Sequence, residues 1–105
     1  MKEITVASLK EKIDNNDDFQ LIDVRESHER AFTNIGGDHI PMGRIMQSID
    51  KIKKEKDVVI YCRSGSRSAQ VVNFLQAQYG FENLINLKGG ILAWSDEIDG
   101  AIKKY

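Results

Sequence analysis

Residues 57–76 read DVVIYCRSGSRSAQVVNFLQ. Asp57 to Tyr61 are dense in β-branched and aromatic side chains and bounded by charge, the pattern of a buried strand. From Arg67 onward Val71, Val72, Phe74, Leu75 and Tyr79 recur at helical spacing, and Gly80 offers a stop. Cys62, the only cysteine in the chain, stands between the two. Strand, tight loop and helix make up the unit of a parallel α/β sheet, whose ligands bind outside the carboxyl ends of the strands. The one thiol therefore falls where such a fold keeps its chemistry.

The same alternation extends outward in both directions. "KEITV" reads as a first strand. "SLKEKIDNN" reads as a helix, with Ser8 as its cap and Leu9 and Ile13 on one face. "FQLIDV" is a second buried strand, and "RESHERAF" favours helix. "TNIGGDHIP" brings a turn and a brief extended piece that Pro41 ends. "MGRIMQSIDKIKKE" repeats Ile45, Ile49 and Ile52 as an amphipathic α-helix would. "NLINL" is a strand before the Gly89-Gly90 turn, and "ILAWSDEI" resumes helix. The pattern predicts an α/β fold with a mainly parallel sheet and helices on both faces. No repeat, linker or low-complexity tract divides residues 1–105, so one domain is expected.

Composition narrows the function classes. With 41% hydrophobic and 30% charged residues the chain reads as an ordinary globular protein. Fifteen basic against sixteen acidic residues leave a formal charge of −1. That balance gives no reason to expect nucleic acid or an anionic membrane as partner. One cysteine makes neither an internal disulfide nor a zinc site of cysteine pairs, so no metal is expected. "MKEITVASLK" lacks the apolar core of a secretory signal, and no segment is apolar over a membrane-spanning length. A cytoplasmic, reducing location and a monomer are expected, with Cys62 free as a thiol.

Around that thiol the residue types suit an anion. Backbone N–H groups at the start of a helix have no intrahelical acceptors, and a loop wrapping the sulfur aims several of them at it. Gly65 supplies the positive φ or close approach a tight loop needs. Ser64 and Ser66 are small and can donate hydroxyl hydrogen bonds. Arg63 and Arg67 favour an anionic sulfur by simple Coulomb attraction. The strand-end position is expected to leave the sulfur exposed. The competing reading of a lone cysteine is a small buried hydrophobe.

At "YCRSGSRS" the chain resembles a single-domain rhodanese, a sulfurtransferase. "FQLIDVRESHE" is similar to that family's strand ending in Asp-Val-Arg, and "IGGDHIPMGRI" to a variant in which a glycine pair precedes Ile-Pro. "VVIYCRSGSRS" resembles its active loop, and "LKGGILAW" its closing Gly-Gly-Ile-x-Ala-Trp. The resemblance implies a three-layer fold with a five-stranded sheet and a double displacement through Cys62. The thiolate would take the sulfane sulfur of a donor such as thiosulfate, releasing sulfite and forming a persulfide. Cyanide, a thiol or another protein would then remove it, with no cofactor. The "NIGGDHIPMGRI" variant also resembles rhodanese domains attached to sulfur-carrier activating proteins, which raises the alternative of a persulfide carrier, beside that of a protein-interaction module of a sulfur relay, with little thiosulfate activity. Cysteine-dependent phosphatases, some on this same fold, use Cys-x5-Arg. Here Arg67 gives Cys-x4-Arg, a shorter loop suited to one sulfur rather than a phosphate.

The remaining polar residues divide by role. Arg63 and Arg67 are expected to hold the donor or the persulfide, since arginine forks match oxyanions; solvent-facing charge is the alternative. Asp23 and Arg25 read as a supporting ion pair or loop brace, and Glu29 likewise as structural. His28 and His39 invite a Cys-His base, which a thiolate held by dipoles does not need. Trp94 is expected in the core, and the "KIKKEK" lysines on a solvated helix end.

Overall fold

The apolar run Asp57–Tyr61 forms the middle strand of a five-stranded sheet. The computed structural model describes residues Met1–Tyr105. Along the chain run strand β1 (Glu3–Ile4), helix α1 (Val6–Asp14), β2 (Phe19–Asp23), α2 (Ser27–Phe32), β3 (Asp38–His39), a 3-10 segment (Met42–Lys51), β4 (Asp57–Tyr61), α3 (Ser66–Tyr79), β5 (Leu84–Leu87) and α4 (Gly90–Glu97). The sheet order is β1-β5-β4-β2-β3, and every pairing is parallel. No helix is long and apolar enough to cross a membrane.

The two-residue period of β4 builds both layers of the core. Val58, Ile60 and then Cys62 face Ile45, Ile52, Val71, Val72 and Leu75. Val59 and Tyr61 point the other way, into the layer of Val6, Leu9, Ile91 and Trp94. Helices therefore cover both faces, and a strand buried on both sides must be apolar throughout. β2 pairs with β4 from Phe19↔Asp57 to Asp23↔Tyr61. That register brings the carboxyl ends of both strands to one rim, where Asp23 and Cys62 lie. Trp94 is in the core as expected, and Lys51, Lys53 and Lys54 are exposed.

Two local expectations fail. Helix α1 is capped by Thr5, whose side chain accepts from the Ser8 backbone N–H; Ser8 itself lies inside the helix. Thr5 has extended dihedrals, as a capping residue needs, because it directly follows β1. The stretch expected as an amphipathic α-helix is a 3-10 segment with a break at Ser48 (φ −121°, ψ 16°). Three-residue hydrogen bonds close its ends, Arg44 N to Pro41 O at 2.8 Å and Ile52 N to Ile49 O at 3.2 Å. Gly43 in its first turn is a poor α-former. The tighter helix rises about 2 Å per residue and so reaches farther. Ile45 and Ile52 still enter the core.

The stripe of α3 weakens toward its end. Val71, Val72 and Leu75 are buried, Phe74 is partly so, and Tyr79 is exposed, edge-on to Phe74 at 5.9 Å. Leu75→Ala is accordingly expected to cost about 2–4 kcal/mol by urea denaturation. Tyr79→Ala should cost less than about 1 kcal/mol. Equal losses at the two positions would contradict this division of the helix.

Candidate active site

Beyond Tyr61 the chain turns sharply, and residues 62–65 curl around the Cys62 side chain before α3 begins at Ser66. The sulfur is the focus of this turn. Gly65 N–H donates to Cys62 Sγ at 3.1 Å and Ser68 N–H at 3.4 Å, and the Ser68 hydroxyl oxygen lies 3.3 Å from the sulfur. Gly65 adopts φ +103°, a conformation that L side chains rarely reach, and this swings its amide toward the sulfur. Two main-chain amides thus meet the sulfur, where a wrapping loop was expected to aim several.

Its carbonyls are taken up from outside. Cys62 O accepts from Ile91 N–H at 3.0 Å and Arg63 O from Leu92 N–H at 3.1 Å, both from the first turn of α4. Free amides of one helix terminus thereby satisfy the backbone of the loop. The approach is close enough to exclude any side chain at Gly90. A Cβ there would lie 2.5 Å from Arg63 O and 2.6 Å from Cys62 O, and Gly90 has φ +59°. Gly89 and Gly90 do more than permit a turn: they let α4 dock on the loop.

The expectation of an exposed thiol does not hold. Cys62 is fully buried and belongs to the apolar layer with Ile60, Val71 and Val72. It lies at the floor of the loop, with Arg63, Ser64 and Ser66 exposed above it. Ser64 and Ser66 do not donate to the sulfur; their hydroxyls lie 3.5 Å from each other. The hydroxyl that reaches Sγ is that of Ser68, in the first turn of α3 and missed in the sequence. Asn86 on β5 was also missed; its amide donates to Gly65 O at 3.2 Å and its carbonyl oxygen accepts from Ser68.

The two loop arginines part company. Arg67 forms a two-pronged ion pair with Glu29, at 2.7 and 2.8 Å. Its forked donors are spent on α2 rather than held open. Arg63 is exposed and lies over the Tyr105 ring, 5.1 Å from the centroid. Glu29 is buried and also accepts from Glu26 N–H at 3.0 Å and Tyr105 hydroxyl at 2.7 Å.

Asp23 and Arg25 form a fully buried pair. Arg25 Nε and Nη2 donate to the two Asp23 oxygens at 3.0 and 2.9 Å. Arg25 also reaches Thr33 O at 2.7 Å and Tyr105 hydroxyl at 2.9 Å, and Tyr61 hydroxyl donates to Asp23 at 3.2 Å. No buried side-chain nitrogen or oxygen is left without a partner. His28 is exposed, and His39 Nε2 contacts Arg25 O at 2.7 Å. Neither histidine is hydrogen-bonded to Cys62.

The Rhodanese-like domain family model matches residues 5–97. This chain belongs to the rhodanese-like domain family. Bacillus subtilis YtwF is 44% identical over 98 residues, covering 92% of this chain and 93% of its own length. A protein named sulfurtransferase in Allochromatium vinosum is 40% identical over 96 residues, covering 90% and 89%. Among solved structures, a rhodanese-like domain protein from Staphylococcus aureus superposes with a TM-score of 0.83 at 33% identity, over 100% and 99% of the two chains. The likeness thus spans the full fold, and the relatives are of sulfurtransferase type.

In this rhodanese-like domain the Arg67–Glu29 pair joins the start of α3, beside the Cys62 loop, to α2. Two hydrogen bonds from Arg67, working against burial, hold the Glu29 carboxyl well below the usual carboxylate range. A lowered native value means the pair stabilises fully above the unfolded carboxyl's titration, near pH 4.5, and fades as pH falls below it. Arg67 is about one-third exposed, so solvent screens the pair. Glu29→Gln should cost about 1–2 kcal/mol at neutral pH. Urea midpoints followed from neutral pH to about pH 3 should fall less steeply for Glu29→Gln than for the parent. Parallel curves would remove Glu29 from the acid response.

Proposed function

We propose that this chain moves a sulfane sulfur from thiosulfate or another persulfide donor to a thiophilic acceptor, through a persulfide on Cys62. The carrying observation is the sulfur at the carboxyl end of β4, met by the amides of Gly65 and Ser68. Donors fixed before reaction stabilise an anion without having to reorganise.

In the first half-reaction the Cys62 thiolate attacks the outer sulfur of the donor. The sulfur–sulfur bond to sulfite breaks, and its electron pair leaves with sulfite. The product is a Cys62 persulfide anion, held where the thiolate was. In the second half-reaction cyanide, a thiol or a protein thiolate attacks the terminal sulfur and carries it away, and Cys62 returns as thiolate. Sulfur itself supplies the covalent chemistry, so neither half-reaction calls on a cofactor.

The residues divide the work. Cys62 is the nucleophile; Gly65 and Ser68 hold charge. Arg63, exposed at the rim, is the cation left to meet an approaching oxyanion. Ser64 and Ser66 form the rim beside it. Arg67 braces the loop through Glu29, and the Asp23–Arg25 pair braces the neighbouring strand end. The short Cys-x4-Arg loop supports sulfur transfer over phosphoryl transfer.

A second reading, a persulfide carrier fed by a protein donor with little thiosulfate activity, is favoured by two observations. Arg67 is paired with Glu29, and the sulfur lies beneath the loop rim rather than open to small anions. In the cell a macromolecular partner would then displace the rim as it docks.

Intact mass after thiosulfate treatment tests the central step. The protein should gain one sulfur atom, about 32 Da, and cyanide or reductant should remove it. Cys62→Ser should gain nothing. A parent unmodified by thiosulfate and by a protein persulfide alike would overturn sulfur transfer in both forms. Labelling only by the protein persulfide would select the carrier reading. A phosphate burst from an aryl phosphate, lost in Cys62→Ser, would instead favour a phosphatase.

A further inference from the structure

The Ser68 hydroxyl has one proton and two acceptors. Its Oγ lies 2.5 Å from Asn86 Oδ1 and 3.3 Å from Cys62 Sγ. The far end of the Asn86 carboxamide settles which acceptor is served. Asn86 Nδ2 donates to Gly65 O and to Glu3 Oε2, each at 3.2 Å. With both amide protons committed there, Oδ1 can only accept, so Ser68 donates to it. Ser68 and Asn86 are both buried, so water does not stand in for either partner.

Two arrangements of the trio follow. While Cys62 is a thiol, its S–H points to the Ser68 oxygen and the Ser68 O–H to Asn86, a continuous chain of donors and acceptors. When the sulfur carries charge, a Ser68 lone pair facing it is repulsive. The hydroxyl then gains by turning toward Cys62, and Asn86 Oδ1 gives up its donor inside the protein, which costs free energy. The hydroxyl proton stays on Ser68 throughout; only its direction changes.

We infer that Asn86 is a positioning residue that acts on Cys62 through Ser68, drawing the hydroxyl away from the resting thiol and thereby regulating how readily the sulfur becomes an anion. Strand β5 and, through Glu3, the edge strand β1 thus enter the control of a nucleophile on β4. The inference rests on the reading of Cys62 as the reacting sulfur. The charged groups around the trio are Arg63 and Arg67 on the loop and α3, Glu29 on α2 behind Arg67, Asp23 and Arg25 at the end of β2, and Glu3 behind Asn86. All of them remain in every variant below.

The test is the pH profile of Cys62 alkylation by iodoacetamide, each variant normalised to its own high-pH plateau. Asn86→Leu, of similar volume, should move the acid limb to lower pH and raise the normalised rate there by about threefold or more, the effect of one freed hydrogen bond. Ser68→Ala should move the limb to higher pH, and Ser68→Thr should restore it. In the Ser68→Ala background Asn86→Leu should change the normalised rate by less than about 1.5-fold, because its route to the sulfur is gone. An undiminished Asn86→Leu effect in that background would overturn the inference, since Asn86 would then act through Gly65 and the loop. An unmoved limb in Asn86→Leu with Ser68 present would do the same. Should Asn86→Leu not fold, Asn86→Ala takes its place in the same cycle. Alkylation needs no sulfur donor. A failed cycle with persulfide still forming therefore sinks this inference alone, and a coupled cycle without persulfide sinks only the sulfur-transfer reading.

Discussion

The docking of α4 on the loop carbonyls is the constraint from which the site follows. A four-residue turn around one sulfur must do something with its own polar backbone. Left to itself it would turn carbonyls as well as amides inward, and carbonyl oxygens repel an anion. Ile91 and Leu92 hold Cys62 O and Arg63 O on the outside. The inward side is then free for the amides of Gly65 and Ser68. Gly90 is the residue that lets the two backbones come so near. The Gly-Gly-Ile stretch, 27 residues beyond the cysteine, is in this sense part of the loop.

A second set of contacts fixes the loop from the opposite side. Arg67 is anchored to Glu29, and Glu29 shares Tyr105 with Arg25, which is locked on Asp23. The chain of contacts runs from the start of α3 through α2 to the end of β2. Charges buried in this way are costly alone and tolerable together, because each finds its partner and no polar atom is left over. The rigidity gained is local, at the one rim of the sheet where the proposed sulfur chemistry needs fixed donors.

Much of this was legible in the sequence. The period of two in Asp57–Tyr61, the helical stripe after Ser66 and the glycine within the loop mark strand, helix and turn, because each is a local property of consecutive residues. Interactions across the fold were not legible. Arg67 looks free until α2 brings Glu29 to it from 38 residues away. Ser66 and Ser68 are equal as letters, and only the phase of the first helical turn decides which hydroxyl meets the sulfur. Asn86 hides inside an apolar strand and draws its meaning from Ser68 on α3. The exposure of Cys62 was misjudged for a related reason. The strand alternation that buries Val58 and Ile60 carries on through residue 62, so the thiol shares their side of the sheet. In the 3-10 segment the isoleucine spacing identified the buried face and left the helix type open, since Ile45 and Ile52 reach the core in either form.

The two outermost strands are stubs. β1 and β3 each run for only two residues, one at either margin of the sheet. A sheet margin is normally a template on which another chain can add a strand, and the hazard grows with the length of unpaired backbone it offers. Here the ladder tapers to almost nothing at both sides, so crowded copies of this protein gain little by joining backbone to backbone. The means of engaging other molecules are thereby concentrated in side chains, and on the proposed reading foremost in a single chalcogen atom beneath the loop rim.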